Sequence, residues 1–172
     1  GTLTKGVFTV TETGPVGMTA EALLDLAAHA EMHSPHPISK SLRAAYGRDL
    51  DADRVAGVTD TAGQGLSALV DGRRVLCGNA RLMRENGITC AESTAVGTIV
   101  HVAVEGRYAG YIVISDAVKE GASAAISALK DAGVARLVML TGDNEAVAAD
   151  VCHRLGLTEY RASLLPGDKV SA

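Results

Sequence analysis

Apolar positions recur with two different periods along this chain, and the period changes near its middle. In residues 20–46 they fall every three to four residues: Leu23, Leu24, Ala27 and Ala28, then Ile38, Leu42 and Ala45, the spacing of helices with one buried face. Thr19 is placed to cap the first helix, with Glu21 in its acid-favouring first turn. Ser34-Pro35 must end it, Pro37 suits the first turn of the second, and Gly47 stops that one. Alternation then takes over. Residues 66–70 and 74–77 flank Asp71-Gly72, a strong hairpin signal, and residues 98–104 and 108–115 flank Glu105-Gly106. Between the hairpins, Asn79 caps a short predicted helix through Leu82 and Met83, closed by Gly87. Helices combined with tight antiparallel hairpins predict an α+β domain over residues 8–112.

Beyond Ser115 the pattern is strand–helix–strand–helix. Residues 117–132 read as an alanine-rich helix ended by Gly133, 136–140 as a short apolar strand, and 145–155 as a helix ended by Gly156. This order predicts a parallel α/β sheet with right-handed crossovers over residues 113–172. No repeat or low-complexity linker separates the two textures, so a short hinge is expected at 112–116.

Composition narrows the chemistry. Of 172 residues, 47% are hydrophobic but only 3% aromatic, so the core must be aliphatic. The net charge is −4, with neither the basic face nor the stacking platform that a nucleic-acid partner requires. Cys77, Cys90 and Cys152 are widely spaced and form no C-x-x-C, which reads as reduced, buried thiols of a cytoplasmic compartment. No stretch reaches the roughly 20 apolar residues of a membrane-spanning helix. The first residue is Gly and the last helix-ending signal precedes the C-terminus, so a longer parent chain is expected.

Two motifs suggest chemistry on physical grounds. Thr141-Gly142-Asp143 follows a predicted strand and precedes a helix, where open α/β sheets bind ligands. A hydroxyl and an unhindered backbone there suit a phosphoryl group, and the same tripeptide also serves as a helix cap. Lys169, one strand later, is placed either to neutralise charge on such a group or as a solvated surface lysine. Gly63-Gln64-Gly65 formally begins a G-x-G-x-x-A dinucleotide fingerprint with Ala68, but a hairpin strand follows where a helix is required.

Taken together and in order, the motifs resemble those of P-type ATPases. Gly1-Thr2-Leu3-Thr4 is similar to the tail of the phosphorylation motif D-K-T-G-T-L-T, Asp116 with Lys119 to a D-x-x-R/K element, and Thr141-Gly142-Asp143 and Pro166 with Lys169 to later phosphorylation-domain motifs. Glu31, Ser34-Pro35-His36-Pro37 and Gly63-Gln64-Gly65 resemble the signature of the heavy-metal-transporting branch, closer in flanking tracts to zinc/cadmium/lead pumps than to copper pumps. The resemblance implies a nucleotide-binding domain (8–112) inserted in a partial, Rossmann-like phosphorylation domain of the haloacid dehalogenase type (1–7 and 113–172). It implies that Glu31, His36, Pro37, Gly63 and Gly65 hold the adenine of ATP, and that Thr2, Thr141, Gly142, Asp143 and Lys169 serve phosphoryl transfer. Glycines let backbone approach a flat purine, and a carboxylate suits its exocyclic amine.

The implied parent is a membrane protein that exports heavy-metal cations, with this piece on its cytoplasmic side and ATP and Mg²⁺ as its requirements. Its phosphorylated Asp would lie three residues before Gly1. Its partners would be the remaining membrane and actuator domains. An unpaired sheet edge at 136–140 would invite self-pairing. Two alternatives stay open: a metal-binding regulatory module using His29, His33 and His36, and a soluble phosphatase of the haloacid dehalogenase superfamily.

Overall fold

The computed structural model describes residues 2–91, 95–141 and 145–164. These form two compact units, residues 8–116 and residues 1–7 with 117–172.

The larger unit is built on a sheet. Its strands are β1 (Thr4–Pro15), β2 (Val55–Thr61), β3 (Gly65–Val70), β4 (Arg73–Gly78), β5 (Thr98–Val104) and β6 (Arg107–Val118), ordered β1-β6-β5-β4-β3-β2. Both predicted hairpins are present, β3–β4 and β5–β6, each antiparallel. Their turns place Asp71 and Glu105 at φ 50° with glycine next, the left-handed pair that a two-residue hairpin turn needs. β1 and β2, which add an edge each, carry no clear alternation; β2 is exposed along most of its length.

Two helices pack on one face. α1 (Ala20–Ala30) is capped by the Thr19 hydroxyl, which accepts the Ala22 N–H, and α2 (Pro37–Tyr46) ends on Gly47 in the left-handed region. Leu23, Leu26 and Leu42 from these helices meet Ala68, Val75, Val102 and Ile112 from the strands in one aliphatic core. α3 (Ala80–Glu85) covers a second cluster, where Leu82 and Met83 pack on Leu76 and Ala103. Alternation along β4 separates these clusters, with Val75 and Cys77 in the first and Leu76 in the second.

Charge ties this unit's far end. The Arg54 guanidinium reaches both Asp25 oxygens (3.1 and 2.8 Å) and both Asp71 oxygens (2.9 and 2.7 Å), joining α1 to the β3–β4 turn. Hydrogen bonding to Arg54 holds both carboxyls below the usual carboxylate range.

In the smaller unit α4 (Ala122–Asp131) and α5 (Glu145–Leu155) accompany a parallel pair, β7 (Val138–Leu140) and β8 (Glu159–Arg161). Ile126, Met139, Val151 and Leu155 form its core, with Leu3 packed against it. The predicted start of the alanine-rich helix at 117 needs correction. Residues 117–118 extend β6, the Lys119 N–H is taken by the Leu3 carbonyl (2.9 Å), and the helix begins only after Gly121 at φ 85°. A paired strand there outweighs alanine's helix propensity. Residues 112–116, the join expected from the sequence, lie within β6.

β3 and β4 approach unusually closely where Gly65 faces Gly78. A Cβ on Gly65 would lie 2.2 Å from the Cys77 carbonyl oxygen and 2.4 Å from the Gly78 Cα, and Gly65 sits at φ +134°. Gly63, at φ +70°, would meet nothing within 4 Å.

Two outcomes follow for stability. Gly65→Ala should lower unfolding free energy by about 2–4 kcal/mol, against about 1 kcal/mol for Gly63→Ala, measured by urea denaturation; equal losses would contradict the contact. Because Asp25 and Asp71 have lowered folded-state pKa values, their contribution is present above an unfolded carboxylate pKa of about 4 and is lost as pH falls below it. Arg54→Met should therefore flatten the loss of stability between about pH 5 and 2, and an unchanged slope would refute it.

Candidate functional site

The site begins with how α1 ends. Its C-cap is Glu31, and the next turn closes through Ser34 N–H to the Glu31 carbonyl (3.1 Å). Helix C-termini leave carbonyls without partners. Arg43 of α2 supplies them, its Nη1 donating to the carbonyls of Glu31 (2.6 Å) and Ser34 (3.0 Å). The turn is thus clamped from below. α2 then starts on His36, whose Nδ1 accepts the Ile38 N–H (3.2 Å), with Pro37 as first helical residue. That bond places the His36 ring proton on Nε2. The histidine–proline pair is therefore a helix start as well as a candidate ligand contact.

The clamp leaves the Glu31 side chain nearly out of water, 8% exposed. The buried Ser39 hydroxyl, 1% exposed, donates to Glu31 Oε2 at 2.6 Å, short and charge-assisted. The Cys77 thiol of β4 lies against the same carboxylate. Burial first, then the charge of Glu31 and its hydrogen bond, push that thiol well above its ordinary value. Cys77 is therefore held as a neutral thiol.

Glu31 opens on a cavity of about 410 Å³ between the α1–α2 turn and the ends of β3, β4 and β5, within the range of small-molecule sites. Glu31, His36, Gly63 and Gly65 all line it, with Ile99 and Val100 as apolar wall. Four of the five expected binding residues are therefore brought together. Pro37 is not among the lining residues; its place is to start α2. The glycines differ in reason: the neighbouring strand fills the space beside Gly65, whereas Gly63 leaves open space.

Asn79 also lines the cavity, beyond its predicted role as a cap. Its Oδ1 accepts the N–H groups of Arg81 (3.0 Å) and Leu82 (3.1 Å), its Nδ2 donates to the Gly63 carbonyl (3.0 Å), and its backbone N–H donates to the Gln64 carbonyl (2.8 Å). One side chain both starts α3 and holds the glycine loop. Its second role depends on the Gly65–Gly78 register, which no local spacing reveals.

Of the expected phosphoryl-transfer residues, Thr2 is exposed just before β1. Thr141 is half-buried at the carboxyl end of β7, its N–H donating to the Arg161 carbonyl (3.0 Å) and its carbonyl accepting from Leu164 N–H (3.0 Å). Both belong to the smaller unit. Gly142, Asp143, Pro166 and Lys169 lie outside the described residues.

The three histidines of the metal alternative are used differently. His29 is 1% exposed; its Nδ1 lies 2.9 Å from the Asp25 carbonyl and its Nε2 accepts the Asp51 N–H (3.2 Å). Both ring nitrogens are engaged, His36 Nδ1 caps α2, and His33 is exposed. Among the described residues no three His, Cys, Asp or Glu side chains are grouped to hold a metal ion, and no helix is long and apolar enough to cross a membrane.

The family model of haloacid dehalogenase-like hydrolases matches residues 1–171. A cadmium, zinc and cobalt-transporting ATPase of Bacillus subtilis (strain 168) is 46% identical over 99% of this chain and 24% of its own length. A zinc-transporting ATPase of Synechocystis sp. is 47% identical over 99% of this chain and 24% of its own. The crystal structure of a zinc-transporting PIB-type ATPase in the E2.Pi state superposes with a TM-score of 0.81 at 35% identity, covering 99% of this chain and 29% of that one. The chain thus spans about a quarter of the length of the curated relatives it matches. It belongs to the haloacid dehalogenase-like hydrolase family, and its close homologues are heavy-metal-transporting P-type ATPases.

Proposed function

We propose that the cavity beside Glu31 binds the adenine of ATP. The observation that carries the reading is a nearly buried carboxylate facing a cavity of purine-compatible size, opposite an open glycine turn and an apolar wall. A carboxylate only accepts hydrogen bonds. Adenine presents an exocyclic amine to such a group, a flat face to Ile99 and Val100, and an edge to the turn at Gly63. His36, with its Nε2–H outward from the cap, packs on or donates to the base.

On this reading the residues of the larger unit recognise ATP. Thr2, Thr141, Gly142, Asp143 and Lys169 act on the phosphoryl group in the whole protein, which forms an aspartyl phosphate and exports a soft divalent cation such as zinc or cadmium. The piece then lies on the cytoplasmic side of a membrane, with the rest of the same transporter as its partner. Mg²⁺ would accompany the phosphates. Among the described residues there is no ligand cluster for it.

The base alone supplies recognition, so binding should be weak, near a Kd of about 1 mM, or about −4 kcal/mol. Titrating ¹⁵N-labelled protein with ATP should shift the amides of Glu31, His36 and Gly63 and leave those around Arg54 in place. Unshifted amides at all three positions would overturn the proposal.

A further inference from the structure

The buried Ser39 has no role in the family resemblance, yet it makes the shortest side-chain contact to Glu31. Its Oγ lies 2.6 Å from Glu31 Oε2 and 2.9 Å from Ser34 Oγ, and Ser34 Oγ in turn is 3.4 Å from the His36 N–H. A hydroxyl carries one proton. Since a carboxylate only accepts, the Ser39 proton goes to Glu31, and Ser39 is left to accept from Ser34. The backbone N–H of His36 donates to Ser34 Oγ. The result is a directed chain, His36 N–H to Ser34 O–H to Ser39 O–H to Glu31 carboxylate, in which each donor polarises the next.

The chain runs between the ends of two helices. Glu31 closes α1; Ser39 lies in the first turn of α2, and His36 caps it. Arg43 fixes the backbone between them, so the Ser39–Glu31 bond sets the side chain against a rigid frame. Oε2 is occupied, and the carboxylate's remaining lone pairs are held at one orientation beside the cavity.

We infer that Ser39 is a positioning residue of this site, which with Ser34 and Glu31 makes the pocket selective for a 6-aminopurine over a 6-oxopurine. The inference rests on the adenine reading above. At position 6 guanine carries a carbonyl where adenine carries that amine. A carboxylate that accepts only and is fixed toward position 6 therefore repels guanine, whereas a mobile one is free to turn to guanine's own N–H donors. A carboxylate released from Ser39 turns away, and the discrimination falls with the affinity.

The test compares ATP and GTP binding by the initial slopes of amide shifts, with thermal midpoints recorded for each variant. Ser39→Ala should weaken ATP about tenfold and lower the ATP-over-GTP preference by a similar factor, as expected for a hydrogen bond to a charged group. Ser39→Thr, which keeps the hydroxyl, should restore both to within about threefold. Ser34→Ala removes the outer donor at a half-buried position and should give about a two- to threefold loss of ATP affinity and preference with an unchanged midpoint. It decides the matter if the threonine does not fold. Equal weakening of ATP and GTP in Ser39→Ala, or a preference unmoved in Ser34→Ala, would overturn the inference. Glu31→Ala, which removes the acceptor, separates the two levels. If it leaves ATP binding and preference unchanged, the adenine reading falls and takes this inference with it. If it abolishes preference while Ser39→Ala does not move it, Ser39 alone is refuted.

Discussion

A carboxylate taken out of water must be given donors, and the organisation of the larger unit around Glu31 follows from that requirement. Desolvating an ionised group costs several kcal/mol unless hydrogen bonds replace the lost water. Ser39 supplies one bond at 2.6 Å and Cys77 offers its thiol, while Arg43 donates to the backbone carbonyls of Glu31 and Ser34 in the turn after α1. These donors come from α2 and β4, so Glu31 keeps its place only when both helices and the sheet are assembled. The placement of this carboxylate and the tertiary fold thereby depend on each other.

The opposite wall depends on a different constraint, close backbone approach. Gly65 and Gly78 face each other across β3 and β4 with no room for a side chain, and Asn79, the next residue, reaches back to the Gly63 carbonyl. The glycine turn is therefore held by neighbouring backbone and one amide. A wall held in this way loses little entropy if a ligand packs on it.

Elements with strong local signals were legible in the sequence. Thr19, Pro37 and Gly47 marked helix ends, and Asp71-Gly72 and Glu105-Gly106 marked hairpins, because caps and tight turns are decided within a few residues. β1 and β2 were not, since their burial pattern is set by neighbours far along the chain. The alanine-rich start at 117 was misread because a strand pairing outside the window outweighed helix propensity. Glu31, His36, Gly63 and Gly65 were legible as a motif, and they do line one cavity. Ser39, Cys77, Gly78 and Asn79 were not: a serine in a helix and a cysteine in a strand acquire meaning only when α2 and β4 meet at Glu31. The histidine spacing suggested metal, but the fold spends both nitrogens of His29 on backbone and carbonyl partners.

Relatives matched across almost the whole chain are metal-transporting ATPases, and the role proposed for Glu31 is to accept from the 6-amine of adenine. The most direct test replaces ATP with the triphosphate of purine riboside, which has the same ring and phosphates without the exocyclic amine. Measured by amide-shift titration, its affinity should be about tenfold lower than that of ATP, with the largest loss of shift at Glu31. Equal affinity and equal shifts for the two nucleotides would contradict the account.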